Sequence, residues 1–247
     1  MEPETIKKNG ASPKSHTSRG NILKFVATLL AVLTTGYAQA QYTYFGLRAG
    51  GNLASISGTY VPILGVAGGL AVPSFKPGFL AGIVVEHAIS YRAAVQFDLL
   101  FVQQGTKFAF ASENIQWDIN YLQIPVDFKV KFRYDGKFYV KAGFNFGYAL
   151  SGKHTSDKSG AKDIDLFKAV DLKSDDGGYG MKRIDIGWAG GFGWEFGAFQ
   201  IDIYSNLGLM NLLNPDDWTS ISNLTNTLVN TRNLGMSLNL IYLFGKY

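Results

Sequence analysis

Two neighbouring stretches decide the fold: Leu122-Gln-Ile-Pro-Val-Asp-Phe-Lys-Val-Lys-Phe132 and Phe138-Tyr-Val-Lys-Ala-Gly-Phe-Asn-Phe-Gly-Tyr148. In both of them apolar residues recur at every second position, and most of the residues between are polar, charged or small. A period of two is typical of β-strands whose two faces meet different surroundings. The connecting Tyr134-Asp135-Gly136-Lys137 favours a tight turn, because glycine supplies the positive φ of a type I′ turn. Together they predict an antiparallel hairpin.

The same alternation continues through the chain after residue 41. It predicts eight strands, at about 42–52, 77–89, 92–104, 118–133, 137–152, 183–196, 199–213 and 231–244. Very short connections alternate strictly with long ones, and the long ones cover about 53–76, 105–117, 153–182 and 214–230. An outer-membrane barrel with both termini in the periplasm has this arrangement of loops. The pattern therefore predicts an all-β fold, an eight-stranded antiparallel up-and-down transmembrane β-barrel over residues 41–247.

Charged residues within the predicted strands alternate with large apolar side chains. A lipid-facing Arg or Lys at the bilayer midplane costs about 2–4 kcal/mol, so the apolar face must meet lipid and the charged face the lumen. The lumen of an eight-stranded barrel is just wide enough for side chains, and a buried charge needs a partner. We therefore predict a paired polar network that plugs the lumen and leaves no open diffusion pore. Its predicted members are Arg48, Glu86, Asp98, Asp127, Lys129, Lys131, Lys141, Asp185, Glu195 and Asp202.

Aromatic residues near the strand ends leave one alternative open. Rings such as those of Tyr42, Trp117, Trp194 and Phe244 suit the two headgroup interfaces of a membrane, but they would also suit the core of a soluble β-sandwich. A mean hydropathy of +0.04 is that of an ordinary soluble protein. A sandwich, however, has no reason to sort its loops by length, so we favour the barrel.

Residues 1–40 are interpreted as a cleaved signal peptide. Basic residues precede an apolar run of about 12 residues, at 25–36, which is too short to cross roughly 30 Å of hydrocarbon as a helix. Ala38 and Ala40 supply the small residues that signal peptidase needs, so we predict cleavage before Gln41. A retained membrane anchor is the alternative. No Cys follows the run, which excludes a lipoprotein.

The formal charge of +4 belongs mostly to this leader. Its five basic and two acidic residues contribute +3, which leaves +1 for residues 41–247. Because its positive and negative charges nearly cancel, this part of the chain lacks the electrostatic basis for binding nucleic acid. The absence of Cys excludes disulfides, thiolate zinc sites, iron–sulfur clusters and thiol nucleophiles.

No catalytic residue, cofactor or metal ligand is predicted. His87 and Ser90 are three positions apart, which turns their side chains to opposite faces of a strand, whereas a Ser–His hydrolase needs them within hydrogen-bond reach. His154 lies in the mixed-charge loop 153–182. That loop has carboxylates that would attract Ca²⁺, namely Asp163, Asp165, Asp175 and Asp176. The EF-hand spacing is absent, so a solvated loop is the preferred interpretation.

Seven short motifs occur in order along the predicted strands: Phe45-Gly-Leu-Arg-Ala-Gly-Gly-Asn-Leu53, Val95-Gln-Phe-Asp-Leu-Leu-Phe101, Tyr121-Leu-Gln-Ile-Pro-Val126, Phe138-Tyr-Val-Lys-Ala-Gly143, Gly147-Tyr-Ala-Leu150, Leu207-Gly-Leu-Met-Asn211 and Tyr242-Leu-Phe-Gly245. As an ordered set they resemble the PorT-like outer-membrane β-barrel family, which is common in the Bacteroidetes. Phe97 departs from the family's usual Pro, and Gln123 from its Glu. The resemblance implies an eight-stranded barrel in the bacterial outer membrane, surrounded by outer-membrane lipid. The family's founding member is linked to secretion of surface proteins.

The strand pattern, the loop lengths and the lack of a catalytic site therefore predict a barrel with long loops outside the cell and a structural or interaction role. One alternative, which the resemblance implies, is a component that assists secretion or transport across the outer membrane with an envelope or secretion-machinery partner. A third, an outer-membrane enzyme, lacks a recognisable active site.

Overall fold

Strands dominate the part of the chain that the computed structural model describes. The described residues are 43–59, 73–109, 114–132, 137–156, 164–168, 180–213 and 230–246. The predicted signal peptide, its cleavage residues Ala38, Ala40 and Gln41, and the turn residues 134–136 lie outside these ranges. In the described ranges, no helix is long and apolar enough to cross a membrane.

The described strands form one closed, fully antiparallel sheet. They are β1 (Thr43–Thr59), β2 (Pro73–Ala88), β3 (Ala93–Ala109), β4 (Asn114–Phe132), β5 (Phe138–Ser156), β6 (Ile164–Asp165), β7 (Ile184–Phe196), β8 (Phe199–Gly208) and β9 (Asn230–Leu243). The order β4-β3-β2-β1-β9-β8-β7-β5 returns to β4 through pairing between β4 and β5. The two-residue β6 pairs only with β5. Eight long strands thus close the barrel, and the predicted eight-stranded antiparallel barrel is confirmed.

Closure gives every long strand two neighbours. The pairing of β4 with β5 runs from Ile115 opposite Ser156 to Phe132 opposite Phe138. Since no sheet edge remains along these ladders, the backbone groups bond to one another and need no water, which is the condition for spanning lipid. The short connections 89–92 and 197–198 lie at one end, here called the turn end, and the opposite end is called the loop end. Gly197 has φ of +61°, which lets the chain reverse within two residues.

The outward face of the barrel is apolar over most of its height. Outward side chains such as Phe144, Trp188 and Leu238 are 44%, 52% and 59% exposed. A continuous apolar belt of this kind is unfavourable in water and favourable in a bilayer.

The polarity of the two faces inverts near the loop end. Along the loop-end part of β4 the inward residues are buried and apolar, namely Ile115, Trp117, Ile119 and Tyr121. Their outward neighbours are polar, namely Gln116, Asp118 and Asn120. From Leu122 towards the turn end the outward residues are apolar, and Gln123, Asp127 and Lys129 face inward. The change falls where Asn120 pairs with Ser151 and the register shifts by one residue. This level marks the edge of the apolar belt.

Several strands are longer at the loop end than predicted. β1 ends at Thr59 and not at 52, β3 at Ala109 and not at 104, and β4 begins at Asn114 and not at 118. The inward positions of the added segments include buried apolar side chains, namely Ile56, Phe108, Ile115 and Trp117, which the expectation of a polar lumen did not include. Conversely, the predicted strand 199–213 was wrong beyond Gly208.

Candidate functional site

A group of charged side chains fills the lumen at the turn end. This turn-end cluster consists of Glu86, Lys129, Lys131, Glu195 and Lys246. The Lys129 Nζ lies 2.6 Å from Glu86 Oε2, and the Lys246 Nζ lies 2.6 Å from Glu86 Oε1 and 2.9 Å from Glu195 Oε1. The Lys131 Nζ lies 3.2 Å from Glu195 Oε2. Each carboxylate is therefore shared between an ammonium group of β4 and that of Lys246, which follows β9.

The sequence did not indicate one member of the turn-end cluster, Lys246, or its neutral neighbour Gln200. Gln200 accepts a hydrogen bond from the Lys129 Nζ at 2.8 Å and donates to Glu86 at 3.1 Å. Lys246 follows the last strand, and Gly245, with φ of +71°, turns the chain before it. Its side chain is buried, whereas lysine side chains are ordinarily solvated. A sequence pattern that ends with the last strand contains no signal for this contact.

A second group of charges lies further along the lumen. This central cluster consists of Arg48, Asp98, Asp127, Lys141 and Asp202. The Arg48 Nη1 lies 2.5 Å from Asp98 Oδ2, and its Nη2 lies 3.6 Å from Asp202 Oδ1. The Lys141 Nζ lies 2.7 Å from Asp202 Oδ2 and 3.9 Å from Asp127 Oδ2. All five side chains are buried.

Two tyrosines connect the charged groups. Tyr204 donates a hydrogen bond to Asp127 at 3.0 Å, and its ring centre lies 4.6 Å from both the Arg48 guanidinium and the Lys141 ammonium. Tyr139 donates to Asp202 at 3.2 Å, and its ring lies 3.8 Å from the Lys129 Nζ. A Cβ on Gly193 would come within 2.7 Å of the Tyr139 hydroxyl, so glycine is needed there. The rings fill space between the cations and add cation–π attraction.

The two clusters are electrically complementary. The turn-end cluster has three cations and two carboxylates, and the central cluster has two cations and three carboxylates. Together they hold five of each sign, so the described lumen charges of these clusters sum to zero. A buried charge is tolerated only when it is paired and hydrogen-bonded.

Asp185 lies outside both clusters, which corrects its predicted place in the paired network. Within the described residues it makes no ion pair, and its Oδ2 accepts a hydrogen bond from Asn233 Nδ2 at 2.8 Å. The same Nδ2 group donates to the Tyr121 hydroxyl at 3.0 Å. Asp185 is the first inward-facing residue of β7. It lies nearer the loop end of the barrel than the cations of the two clusters. The remaining nine predicted members lie in the two clusters.

Apolar side chains close the lumen at the loop end. This loop-end cluster consists of buried residues from strands and connections, namely Ile56, Phe108, Ile115, Trp117, Ile119, Tyr121, Ala149, Leu166, Met181, Leu212 and Leu213. Backbone bonds hold the connections in place: Met181 N donates to Leu166 O at 3.0 Å, and Lys182 N donates to Leu212 O at 2.7 Å. The sequence analysis missed this cluster. The signal for it is that Tyr121 and Leu122 are adjacent and both apolar, which moves the apolar residues of β4 from the inward to the outward face.

The described residues weighed for chemistry are each engaged in a contact with another part of the structure. The Thr43 Oγ1 and His87 Nδ1 atoms lie 2.8 Å apart, and Ser90 Oγ accepts hydrogen bonds from the backbone of the turn. Trp117 Nε1 donates to His154 Nδ1 at 3.1 Å inside the loop-end cluster, so the prediction of a solvated loop was wrong for His154. Asp165 Oδ1 accepts from Phe167 N at 2.9 Å. Asp163, Asp175 and Asp176 lie outside the described residues, among which no group of acidic or histidine side chains is arranged to hold a metal.

Residues 37–214, more than half of the chain, match the family described as outer membrane protein beta-barrel domain. The chain belongs to this family. No curated protein sequence matches it.

Three solved structures illustrate what this outer-membrane barrel is similar to. Ail, the attachment invasion locus protein of Yersinia pestis, in complex with the heparin analogue sucrose octasulfate, is 12% identical, with a TM-score of 0.41 over 83% of this chain and 100% of that one. Neisserial surface protein A is 12% identical, with a TM-score of 0.42 over 80% and 96%. OprG from Pseudomonas aeruginosa is 13% identical, with a TM-score of 0.41 over 82% and 96%.

Family membership places this barrel in the outer membrane, with lipid around its apolar belt. Outer-membrane barrels have short turns on the periplasmic side and longer loops outside the cell. By this rule we expect the turn-end cluster on the periplasmic side and the loop-end cluster on the extracellular side, beyond the edge of the apolar belt.

Proposed function

We propose that this outer-membrane barrel is closed to diffusion and has a structural or interaction role, with its long connections available for contact outside the cell. The observation that carries the proposal is the filled lumen. Paired charges occupy its periplasmic and central parts, and the loop-end cluster covers its extracellular part. A solute would have to break several buried ion pairs and displace apolar side chains in order to pass.

Planar-bilayer recording of the refolded barrel tests closure. We expect no steady openings of large conductance, while an open porin in the same membrane supplies the positive control. The double variant Arg48→Ala, Asp98→Ala removes a complete ion pair and leaves space in the central cluster, so brief small openings are expected in it. Steady large openings of the unmodified barrel would contradict the proposal.

We also propose that the barrel is not an enzyme. His87 contacts Thr43, Ser90 is engaged by the backbone of its turn, and His154 is bonded to Trp117 inside the loop-end cluster. In the described part of the chain these histidines are therefore used in structural contacts. Hydrolysis of ester, phosphate or peptide test substrates by the refolded barrel, lost in the His87→Ala variant, would contradict this.

A role in secretion is the second candidate, and its support is the ordered set of PorT-like motifs. Phe138-Tyr-Val-Lys-Ala-Gly143 and Tyr121-Leu-Gln-Ile-Pro-Val126 occupy the adjacent strands β5 and β4, so the resemblance covers a contiguous part of the wall. Deletion of the gene followed by profiling of surface proteins tests this candidate. Loss of a set of surface proteins would support it, and an unchanged profile would exclude it.

A further inference from the structure

A cleft opens on the wall of the barrel where β7 ends its pairing with β5. β7 pairs with β5 as far as Tyr148 opposite Ile184, and the short β6 takes its place from Lys153 opposite Asp165. Between these points the wall has a cleft of about 250 Å³. The side chains that matter for its chemistry are those of Leu150, Lys153, Asp165, Phe167 and Arg183.

The cleft lies at the edge of the apolar belt. The outward positions of β5 carry no charge from Phe138 to Leu150, and Leu150 is 47% exposed. Ser151 and Lys153 follow on the exposed side beyond the register shift. A lipid against this part of the wall would place its acyl chain on Leu150 and its phosphate-bearing headgroup near Lys153.

Arg183 is held in a fixed position in this cleft. Its Nη1 donates to Ala149 O and Leu150 O, both at 3.2 Å, and its guanidinium lies 4.3 Å from the centre of the Phe167 ring. Phe167 is positioned in turn by the bond from its backbone N to Asp165. A guanidinium fixed in this way can present its remaining N–H groups to an anion with little further loss of entropy.

The charges near the cleft favour an anion. Lys153 and Arg183 line it, against one lining carboxylate among the described residues, that of Asp165. Asp118, which lies opposite Lys153 on β4, is paired with Lys76. Clusters of basic side chains beside the apolar surface of a membrane protein are typical sites for anionic lipid headgroups.

We propose that this cleft binds the phosphate group of a glycolipid of the outer leaflet. Arg183 and Lys153 contact the phosphate, and an acyl chain lies along Leu150 and the apolar belt below it. The site is on the outer wall, so it is separate from the lumen, and the proposal is independent of whether the barrel is closed.

Native mass spectrometry of the purified full-length barrel with added lipid A, the phosphorylated outer-leaflet glycolipid, tests the proposal. We expect the unmodified barrel to retain lipid A and to retain dephosphorylated lipid A at least about tenfold less, the effect of losing a charge-assisted contact. Arg183→Lys and Lys153→Ala are expected to weaken retention of lipid A to a similar degree. Asp165→Asn keeps the bond to Phe167 and removes a repulsive charge, so it is expected to strengthen retention several-fold.

Lys107→Ala is the matched control, since Lys107 is an exposed outward lysine at the loop end of β3 and lies outside the cleft. Its retention of lipid A is expected to equal that of the unmodified barrel. A heat-modifiable band on gel electrophoresis confirms that each variant folds, and Lys153→Ala leaves the Arg183 contacts intact if Arg183→Lys does not fold. Equal retention of the two lipids, equal loss in Lys107→Ala, or complete displacement of lipid A by inorganic phosphate would overturn the proposal.

Discussion

The two ends of β4 differ in which face is polar. The inward face is apolar at one end and polar at the other, and the outward face is the reverse. In the loop-end part Trp117 is buried inside and Asp118 faces outward, whereas in the part nearer the turn end Lys129 is buried inside and Phe128 faces outward. The strand and its inward direction are continuous through both parts, and only its pairing with β5 shifts, by one residue at Asn120. What changes is the surrounding medium, since a protein surface that meets water is polar over an apolar core and one that meets lipid is apolar. The level of Asn120 therefore reports where the membrane ends.

The largest effect is expected from an unpaired charge inside the lipid-embedded part. Glu86→Gln leaves Lys129 and Lys246 buried beside a neutral group, and loss of one partner from a buried ion pair costs about 3–5 kcal/mol. Asp118→Asn is the matched control outside the belt, where the pair with Lys76 is partly exposed and is expected to contribute less than about 1 kcal/mol. Urea titration of the folded band on gels measures both. Equal losses would contradict the distinction between the two parts.

Deletion of a buried ring tests the loop-end cluster. Trp117 is 3% exposed and its ring lies 5.2 Å from that of Phe108, so Trp117→Ala is expected to cost about 3–4 kcal/mol through the cavity that it leaves. Trp188→Ala removes an outward ring whose space lipid can fill, so its cost should be about 1–2 kcal/mol. The same urea titration compares them. A larger loss in Trp188→Ala would mean that the loop-end cluster is not a packed core.

A cation moved along the outward face of β4 tests the height of the belt. Val126→Arg places a guanidinium near the middle of the belt and is expected to cost about 2–4 kcal/mol. Asn120→Arg places it at the edge, where the cost falls to about 0–1 kcal/mol. Folding yield into vesicles at a series of urea concentrations gives the difference. If the two variants are equally stable, the belt does not end at Asn120.

The smallest effect is expected at Lys246. The turn-end cluster has three cations for two carboxylates, so Lys246→Met leaves two of each and no unpaired charge. Lys246 is buried, but each carboxylate keeps an ammonium partner in the variant, so we expect a loss of about 1–2 kcal/mol, smaller than that of Glu86→Gln and measured beside it by urea titration. A loss as large as that of Glu86→Gln would show that Lys246 is required to close the periplasmic end.

The features of the fold that depend on period and loop length could be predicted from the sequence. Alternation places Lys129 and Lys141 on the inward face whatever the detailed packing, because successive residues of a strand point to opposite sides. The height of a residue along the barrel axis is different, since it depends on the stagger between strands, which no local pattern contains. For this reason Asp185 was expected among the cations and lies above them. The contact of Lys246 escaped prediction because it depends on a turn after the last strand.

The loop-end cluster was missed for another reason. We predicted a polar lumen, and the predicted strands 42–52 and 92–104 stop before the inward apolar residues Ile56 and Phe108. Beyond the lipid the ordinary rule of an apolar core returns, and the strands continue. In the sequence this transition is marked by the adjacent Tyr121 and Leu122, where the alternation of polar and apolar residues shifts by one position.

Thiol labelling along β4 tests the central claim, the inversion of polarity at Asn120, most directly. The chain contains no Cys, so single cysteines at successive positions from 116 to 130 can be introduced without background. In lipid vesicles, a water-soluble maleimide is expected to label outward positions 116, 118 and 120 and to leave outward positions 122, 124, 126 and 128 unlabelled. Inward positions should be protected throughout. Labelling that continues through 124–128 would contradict the account.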